Sequence, residues 1–574
     1  MALPFALVGL LEAGLRIAHP RGGLPLFEKA PLVRGDHLVA SRSVGRRWFG
    51  GIENAPSPQI EPFARVKPDR AFRVFVLGES TTAGFPYPRN VTFSRLLRDM
   101  LADVLPGDSV EVVNLGIAAT NSFAMLDIAS EIMAQKPDAV LIYAGHNEYY
   151  GALGAASRVN LPGGTGAVRF YLKLLRLRTV LLVRNGLASM RGSRGPDTDL
   201  EAASLMEILA REREVPLDSP RYLAGKRQFE ANLGALVRTF TRNDVPVFVG
   251  SLVSNERDQP PFAADANRRA NGAVAVFDSA RAAMAGRDTV AAARLFARAR
   301  DLDVVRFRAP AEFNGVIREV ARATGAVYVP VAEAFAARSE GGIPGSSLLL
   351  EHVHPNRDGY ALIGRAFFDA MAASGVLSES ADLARARPFS EYAARTTLTP
   401  FDERIATHLV RTLGSRWPFV AANRQVDYRG RYVPVDLLDT LAFDVSRGAP
   451  WEQAKLRLAS DYERRRLYDS AAAEYAGLAR DAPLFEEPRR MMARAHALGG
   501  NDAARRRDLP EAVSLFNRSL ALHESQPDVL YQLSLVYGMM NDIPNARASA
   551  ARLSRMRPDH PGLADWMASL GMRP

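Results

Sequence analysis

Four short blocks carry residue types capable of nucleophilic and acid–base chemistry. Gly78-Glu79-Ser80-Thr81-Thr82-Ala83-Gly84 follows an apolar run and puts a serine where a strand gives way to a helix-like segment. A hydroxyl there is exposed and close to N–H groups that a first helical turn leaves unpaired, which suits a nucleophile. A lone serine at such a place is more often a helix cap. The turn has neither the Lys-Ser/Thr of a phosphate loop nor GxGxxG spacing. Asn114-Leu115-Gly116 and Gly145-His146-Asn147-Glu148 end two more apolar runs, and Glu351-His352-Val353-His354-Pro355-Asn356 lies further on. His352 and His354 suggest a metal by type, but no third ligand stands at a sensible spacing, so neither metal nor cofactor is expected.

The elements that must position these blocks are legible as periodicity. Runs at 72–77, 110–115, 139–143 and 245–250 read as buried parallel strands, each followed by a loop and a helix-like segment. A fifth, at 326–331, follows a helical stretch over 311–324. Strands alternating with helices predict a doubly wound α/β sheet whose C-terminal strand ends line a site. All four blocks fall on that edge. Long stretches at 149–224 and 255–309 interrupt the pattern as insertions.

Together the four blocks resemble the SGNH/GDSL hydrolase family, over about residues 70–375. The resemblance implies a flavodoxin-like sheet with Ser80 as nucleophile, His354 as base and Glu351 as the acid three residues before it. It implies oxyanion donors at the N–H groups of Ser80 and Gly116 and the side-chain amide of Asn147. His352 is the less suitable base, since only His354 precedes Pro-Asn and stands three residues after an acid. Three positions depart from the family: Glu79 replaces the Asp of GDS, Glu148 replaces an Asp in the third block, and the triad acid is Glu rather than Asp. The implied activity is hydrolysis of an ester of an O-acylated carbohydrate, lipid or small alcohol. Transfer of the acyl group to a sugar hydroxyl and a scaffold with a dead site are the alternatives.

Residues 376–450 read as an irregular connector, and 451–574 as helical. Ala459, Tyr462, Ala471, Tyr475 and Pro483 repeat at the offsets of Ser534, Tyr537, Ala546, Ala550 and Pro558, with Ala512 and Phe516 as part of a middle copy. This resembles the tetratricopeptide repeat, a 34-residue helical hairpin that docks protein partners. Ala280, Ala283, Ala292, Phe296 and Ala299 show similar spacing inside the first domain.

The chain of 574 residues carries a formal charge of +10, with 73 basic and 63 acidic residues. A basic balance invites a nucleic-acid reading. Its densest part, however, is one stretch inside the first insertion: 149–196 holds eight basic residues and no acidic one, whereas 451–574 nets only +2. Arg169, Lys173, Arg176 and Arg184 share one helical face, with a break near Arg178. Such a segment (158–194) reads equally as a solvated helix covering the sheet or as a surface for an anionic membrane or glycan, and either fits better than nucleic acid. There is no cysteine, which excludes disulfides and thiolate chemistry. Residues 1–20 open with an apolar run shorter than the ~20 residues of a span. It reads either as a short buried helix or as the tail of a membrane anchor, and 21–69 as an N-terminal extension. The family resemblance points to bacterial proteins with an N-terminal anchor that act outside the cytoplasm.

Overall fold

The structure is a computed structural model. It describes residues 2–18, 22–30, 33, 35–50, 55–87, 89–159, 161, 163–190, 209–210, 212–265, 272–377 and 381–572. The chain divides into two compact units, one of 1–396 with 406–432 and one of 397–405 with 433–574.

Five parallel strands form the centre of the first unit: β1 (Ala71–Gly78), β2 (Ser109–Asn114), β3 (Ala139–Tyr143), β4 (Val247–Gly250) and β5 (Val327–Val329). Their spatial order is 2-1-3-4-5, the order of flavodoxin-type doubly wound sheets. β3 is buried at every position and β1 at all but its first, as continuous apolar runs require when helices cover both faces.

The first unit's helices include α1 (Ala2–Ala18), α2 (Ser80–Ala83), α3 (Phe93–Val104), α4 (Ser122–Met133), α5 (Gly164–Leu174), α6 (Arg178–Met190), α7 (Pro220–Thr241), α8 (Ala273–Ala285), α9 (Thr289–Leu302), α10 (Ala311–Thr324) and α11 (Arg357–Ser374). α3 packs on α11, while α7 packs on both α4 and α10. A small antiparallel sheet of Phe27–Lys29, His37–Ala40 and Phe63–Ala64 precedes β1. Its strands, of two to four residues, are too short to carry a readable alternation.

The expected interruption near Arg178 is present, since α5 ends at Leu174 and α6 begins at Arg178. The basic face is largely tied down. Arg169 Nε donates to Asn232 Oδ1 at 2.9 Å, Arg176 pairs with Asp127, and Arg184 donates to the Arg47 carbonyl at 3.3 Å. In α1, read either as a short buried helix or as the tail of an anchor, Leu10, Leu11 and Ile17 are exposed. Among the described residues no helix is long and apolar enough to cross a membrane.

The second unit contains α12 (Trp451–Arg464), α13 (Tyr468–Asp481), α14 (Glu487–Arg505), α15 (Leu509–Leu522), α16 (Pro527–Met539) and α17 (Ile543–Met556), each packed on its successor. The turns at α12–α13, α14–α15 and α16–α17 share one geometry. Arg466, Arg507 and Asn541 take a left-handed φ of 59°, 62° and 60°. The next N–H then reaches back five residues, to the carbonyls of Tyr462, Ala503 and Tyr537; this is the helix-terminating Schellman pattern. Five residues after each left-handed position stands a fully buried alanine: Ala471, Ala512 and Ala546. The α8–α9 hairpin of the first unit repeats all of this, with Arg287 at φ 62°, Asp288 N–H on Ala283 O, and Ala292 fully buried.

Candidate active site

The first block is shaped by close approach. A Cβ on Gly78 would stand 2.0 Å from Thr82 Oγ1 and 2.3 Å from the Tyr143 carbonyl. The strand can therefore turn into α2 only without a side chain there. Ser80 opens that helix, so its N–H has no intrahelical acceptor. The preceding Glu79 is buried, and its carboxylate accepts the N–H groups of Gly145 at 3.1 Å, His146 at 3.0 Å and Asn147 at 3.2 Å. The residue that departs from GDS thus ties the loop after β3 to the serine turn. Burial, together with the nearby Glu148, pushes the Glu79 carboxyl up from its ordinary value against those three donors.

The last block meets the first. Ser80 Oγ lies 2.8 Å from His354 Nε2. His354 Nδ1 faces Glu351 Oε1, and the His354 backbone N–H donates to the same oxygen at 2.9 Å. The other carboxylate oxygen takes the His352 N–H at 2.9 Å and faces His352 Nδ1. Glu351 is therefore straddled by two histidines, each held by its backbone and its ring. Burial pushes the His354 imidazole down to about 3, so it rests neutral. His352 is pushed down in the same direction, first by burial and then by His354 and His146.

Asn147 lines the cleft beside Ser80. Gly116 does not bring its N–H there: that group donates to Asn114 Oδ1 at 2.8 Å. Its lack of a side chain serves packing instead, since a Cβ would sit 2.4 Å from the Ala83 nitrogen at the back of α2. Ala119, three residues on, does line the cleft. It holds a left-handed φ of 58°, which is uncommon for a residue with a side chain. Among the described residues its N–H has no acceptor. Sequence reasoning missed it because an alanine in an apolar loop carries no signal of its φ.

His146 stands apart from Ser80. Its Nδ1 accepts the Ala309 N–H at 3.1 Å, and among the described residues its Nε2 has no hydrogen-bond partner. Glu148 is buried against Ser122, accepting the hydroxyl at 2.6 Å and the N–H at 3.2 Å, and burial pushes it up to about 7. Glu351, His352 and His354 each offer one ligand atom within 4.8 Å of the others, so Glu351 is the third ligand type that spacing alone did not supply. Both Nδ1 atoms face the carboxylate, however, and His354 Nε2 is engaged by Ser80. The donor set is turned inward on itself.

The cleft walls are apolar, with Phe85 and Val353 beside His354, Phe307 from the second insertion, and Trp417-Pro418-Phe419 from the stretch read as a connector. The Phe85 ring centroid is 4.5 Å from that of His354.

The family model described as GDSL-like lipase/acylhydrolase matches residues 76–362, half of the chain. The chain belongs to the GDSL-like lipase/acylhydrolase family. Every block of the cleft, from Ser80 to His354, lies inside the matched span. The C-terminal helices and the Trp417–Phe419 wall lie outside it. No curated protein matches the chain. Among solved structures it is similar to LAE5, an alpha/beta hydrolase enzyme from the metagenome of Lake Arreo, Spain. That match has 14% identity over 55% of this chain and 98% of that one, with a TM-score of 0.28. It is also similar to a lipase/acylhydrolase from Enterococcus faecalis, at 16% identity over 53% and 97% of the two chains, with a TM-score of 0.26.

Proposed function

We propose that this GDSL-family domain is a serine ester hydrolase acting on an O-acylated carbohydrate, lipid or small ester. The observation that carries the reading is the unbroken line from Ser80 Oγ through His354 to Glu351. A neutral His354 with its proton on Nδ1, held there by Glu351, presents a free Nε2 lone pair to the serine hydroxyl. As Ser80 Oγ attacks the ester carbonyl, Nε2 takes its proton, and Glu351 stabilises the imidazolium that forms. The oxyanion is received by the Ser80 N–H, the Ala119 N–H and the Asn147 amide, with Gly116 supporting α2 from behind. Each such donor is worth ~100–1000-fold in turnover. His354 then protonates the leaving alcohol, and water releases the acyl group. A sugar hydroxyl in place of that water makes the same site an acyltransferase.

The test is hydrolysis of p-nitrophenyl esters by the full chain. Ser80→Ala is expected to abolish it. Activity that survives Ser80→Ala assigns the chemistry elsewhere, and no hydrolysis by the wild type favours a scaffold with an inactive domain.

The recurring turn and the buried alanine five residues after it support tetratricopeptide-like hairpins in the second unit, with a protein partner as their occupant. Deleting 451–574 is then expected to lose that partner in a pull-down; unchanged partners would reject this role. For the basic insertion the proposed partner is an anionic membrane surface. α1 and α6 are joined where Glu12 accepts the N–H groups of Arg178 at 3.1 Å and Thr179 at 2.9 Å. Both helices leave leucine, isoleucine or valine exposed, with Leu10 and Ile17 on one and Leu182, Val183 and Leu187 on the other. Arginines beside exposed apolar side chains fit an anionic interface. Vesicles containing anionic lipid are expected to sediment the wild type and not Leu182→Glu/Leu187→Glu. Equal partitioning of the two would reject it.

A further inference from the structure

We infer that the site favours the shortest uncharged acyl group, acetyl, whatever alcohol it esterifies. This rests on the serine-esterase reading. In that chemistry the acyl carbon becomes bonded to Ser80 Oγ, so the acyl group is packed against the cleft wall as the acyl-enzyme, whereas the alcohol need only bring its oxygen to His354 Nε2. The cleft beside Ser80 is about 50 Å³. At the ~15 Å³ that one water-sized group needs, it has room for roughly three heavy atoms. An acetyl group has three.

The wall that sets this limit is well braced. The Phe419 ring lies 5.1 Å from Phe262 and 5.3 Å from His352, both edge-on. Trp417 lies 5.4 Å from Phe307, and the Arg213 guanidinium sits 4.7 Å over its ring. Such aromatic pairs stabilise one another beyond their buried area, so the wall resists displacement by a longer chain. Among the described residues no charged side chain lines the cleft except the imidazoles, if protonated, and burial keeps those neutral. A carboxylated acyl group such as succinyl would be buried without a counter-charge, at a prohibitive desolvation cost.

The experiment measures kcat/KM of the full chain on p-nitrophenyl acetate, butyrate and octanoate, for wild type, Phe419→Ala and Phe419→Leu. The wild type is expected to prefer acetate over octanoate by at least tenfold, and both variants to move the octanoate-to-acetate ratio upward, Phe419→Ala more. A wild type that cleaves octanoate as fast as acetate overturns the chain-length inference and leaves the esterase reading intact. A wild type that cleaves no ester overturns both. Variants whose ratio does not move, in a wild type that prefers acetate, overturn the assignment of the limit to this wall.

Discussion

Glu351 has one methylene more than the aspartate its family uses, and the loop around it absorbs the extra length. Its two oxygens are taken by the N–H groups of His352 and His354 and face both Nδ1 atoms. Glu351→Gln puts an amide donor against one of those rings and forces the wrong tautomer. Turnover of p-nitrophenyl acetate is expected to fall by about 10⁴, as for other triads whose acid is made an amide; near-normal turnover would remove Glu351 from the mechanism. The pH dependence follows from the same burial. The base must be neutral, and its pKa is pushed below the ordinary histidine value. kcat/KM is therefore expected to stay flat as pH falls through about 6.5, and a loss of activity with a midpoint there contradicts it. Glu148 has the opposite consequence, for stability. Its carboxyl is raised to about 7 in the fold, so the unfolded chain releases that proton first and stability is lost as pH rises from about 4.5 to 7. Glu148→Gln is expected to flatten this slope and to gain roughly 3 kcal/mol above pH 7 by urea unfolding. A parallel pH profile in the variant contradicts the assignment. Ser80, Asn147, Glu351 and His354 were legible because each sits in a short block at a strand end or just before a helix. The place of Ala119 at the cleft was not, because it depends on a φ angle, and Phe419 was not, because a connector has no period to place it.

At the scale of elements, long apolar runs were readable and short or conditional ones were not. The runs at 72–77 and 139–143 became β1 and β3 nearly residue for residue, because burial on both faces leaves no polar alternation to confuse the pattern. The run at 326–331 shortened to Val327–Val329, since Val331 already opens a helix after Pro330. The connector at 376–450 proved to have two allegiances. Its 406–432 part carries Trp417 and Phe419 and belongs with the sheet, whereas 397–405 belongs with the helices. The second allegiance has a physical anchor. Lys455, fully buried, sits 3.1 Å from Asp402 and against Glu474, with Trp451 Nε1 donating to Asp402 at 2.9 Å. Removing one partner of a buried ion cluster strands the others and costs about 3–5 kcal/mol. Lys455→Met is therefore expected to lower the melting temperature of the helical unit by roughly 10 °C, read by the loss of helical circular dichroism. A change within 2 °C, on the order of 0.5 kcal/mol, would show the cluster to be incidental.

At the scale of the whole molecule, the +10 charge resolves into parts. The 149–196 stretch, where basic residues concentrate, spends Arg169, Arg176 and Arg184 on internal contacts, so a net charge read from sequence overstates what is offered to a partner. The family match covers the half of the chain that holds the cleft's four blocks. The other half adds an aromatic wall and a helical unit whose turn recurs once inside the first. The central claim is that Ser80 is an activated nucleophile, and covalent labelling tests it most directly. The full chain is incubated with a fluorophosphonate and digested, and the peptides are read by mass spectrometry. The expected result is a single adduct on Ser80, absent in Ser80→Ala and strongly slowed in His354→Ala. No adduct on the wild type, or one that persists in Ser80→Ala, contradicts the account.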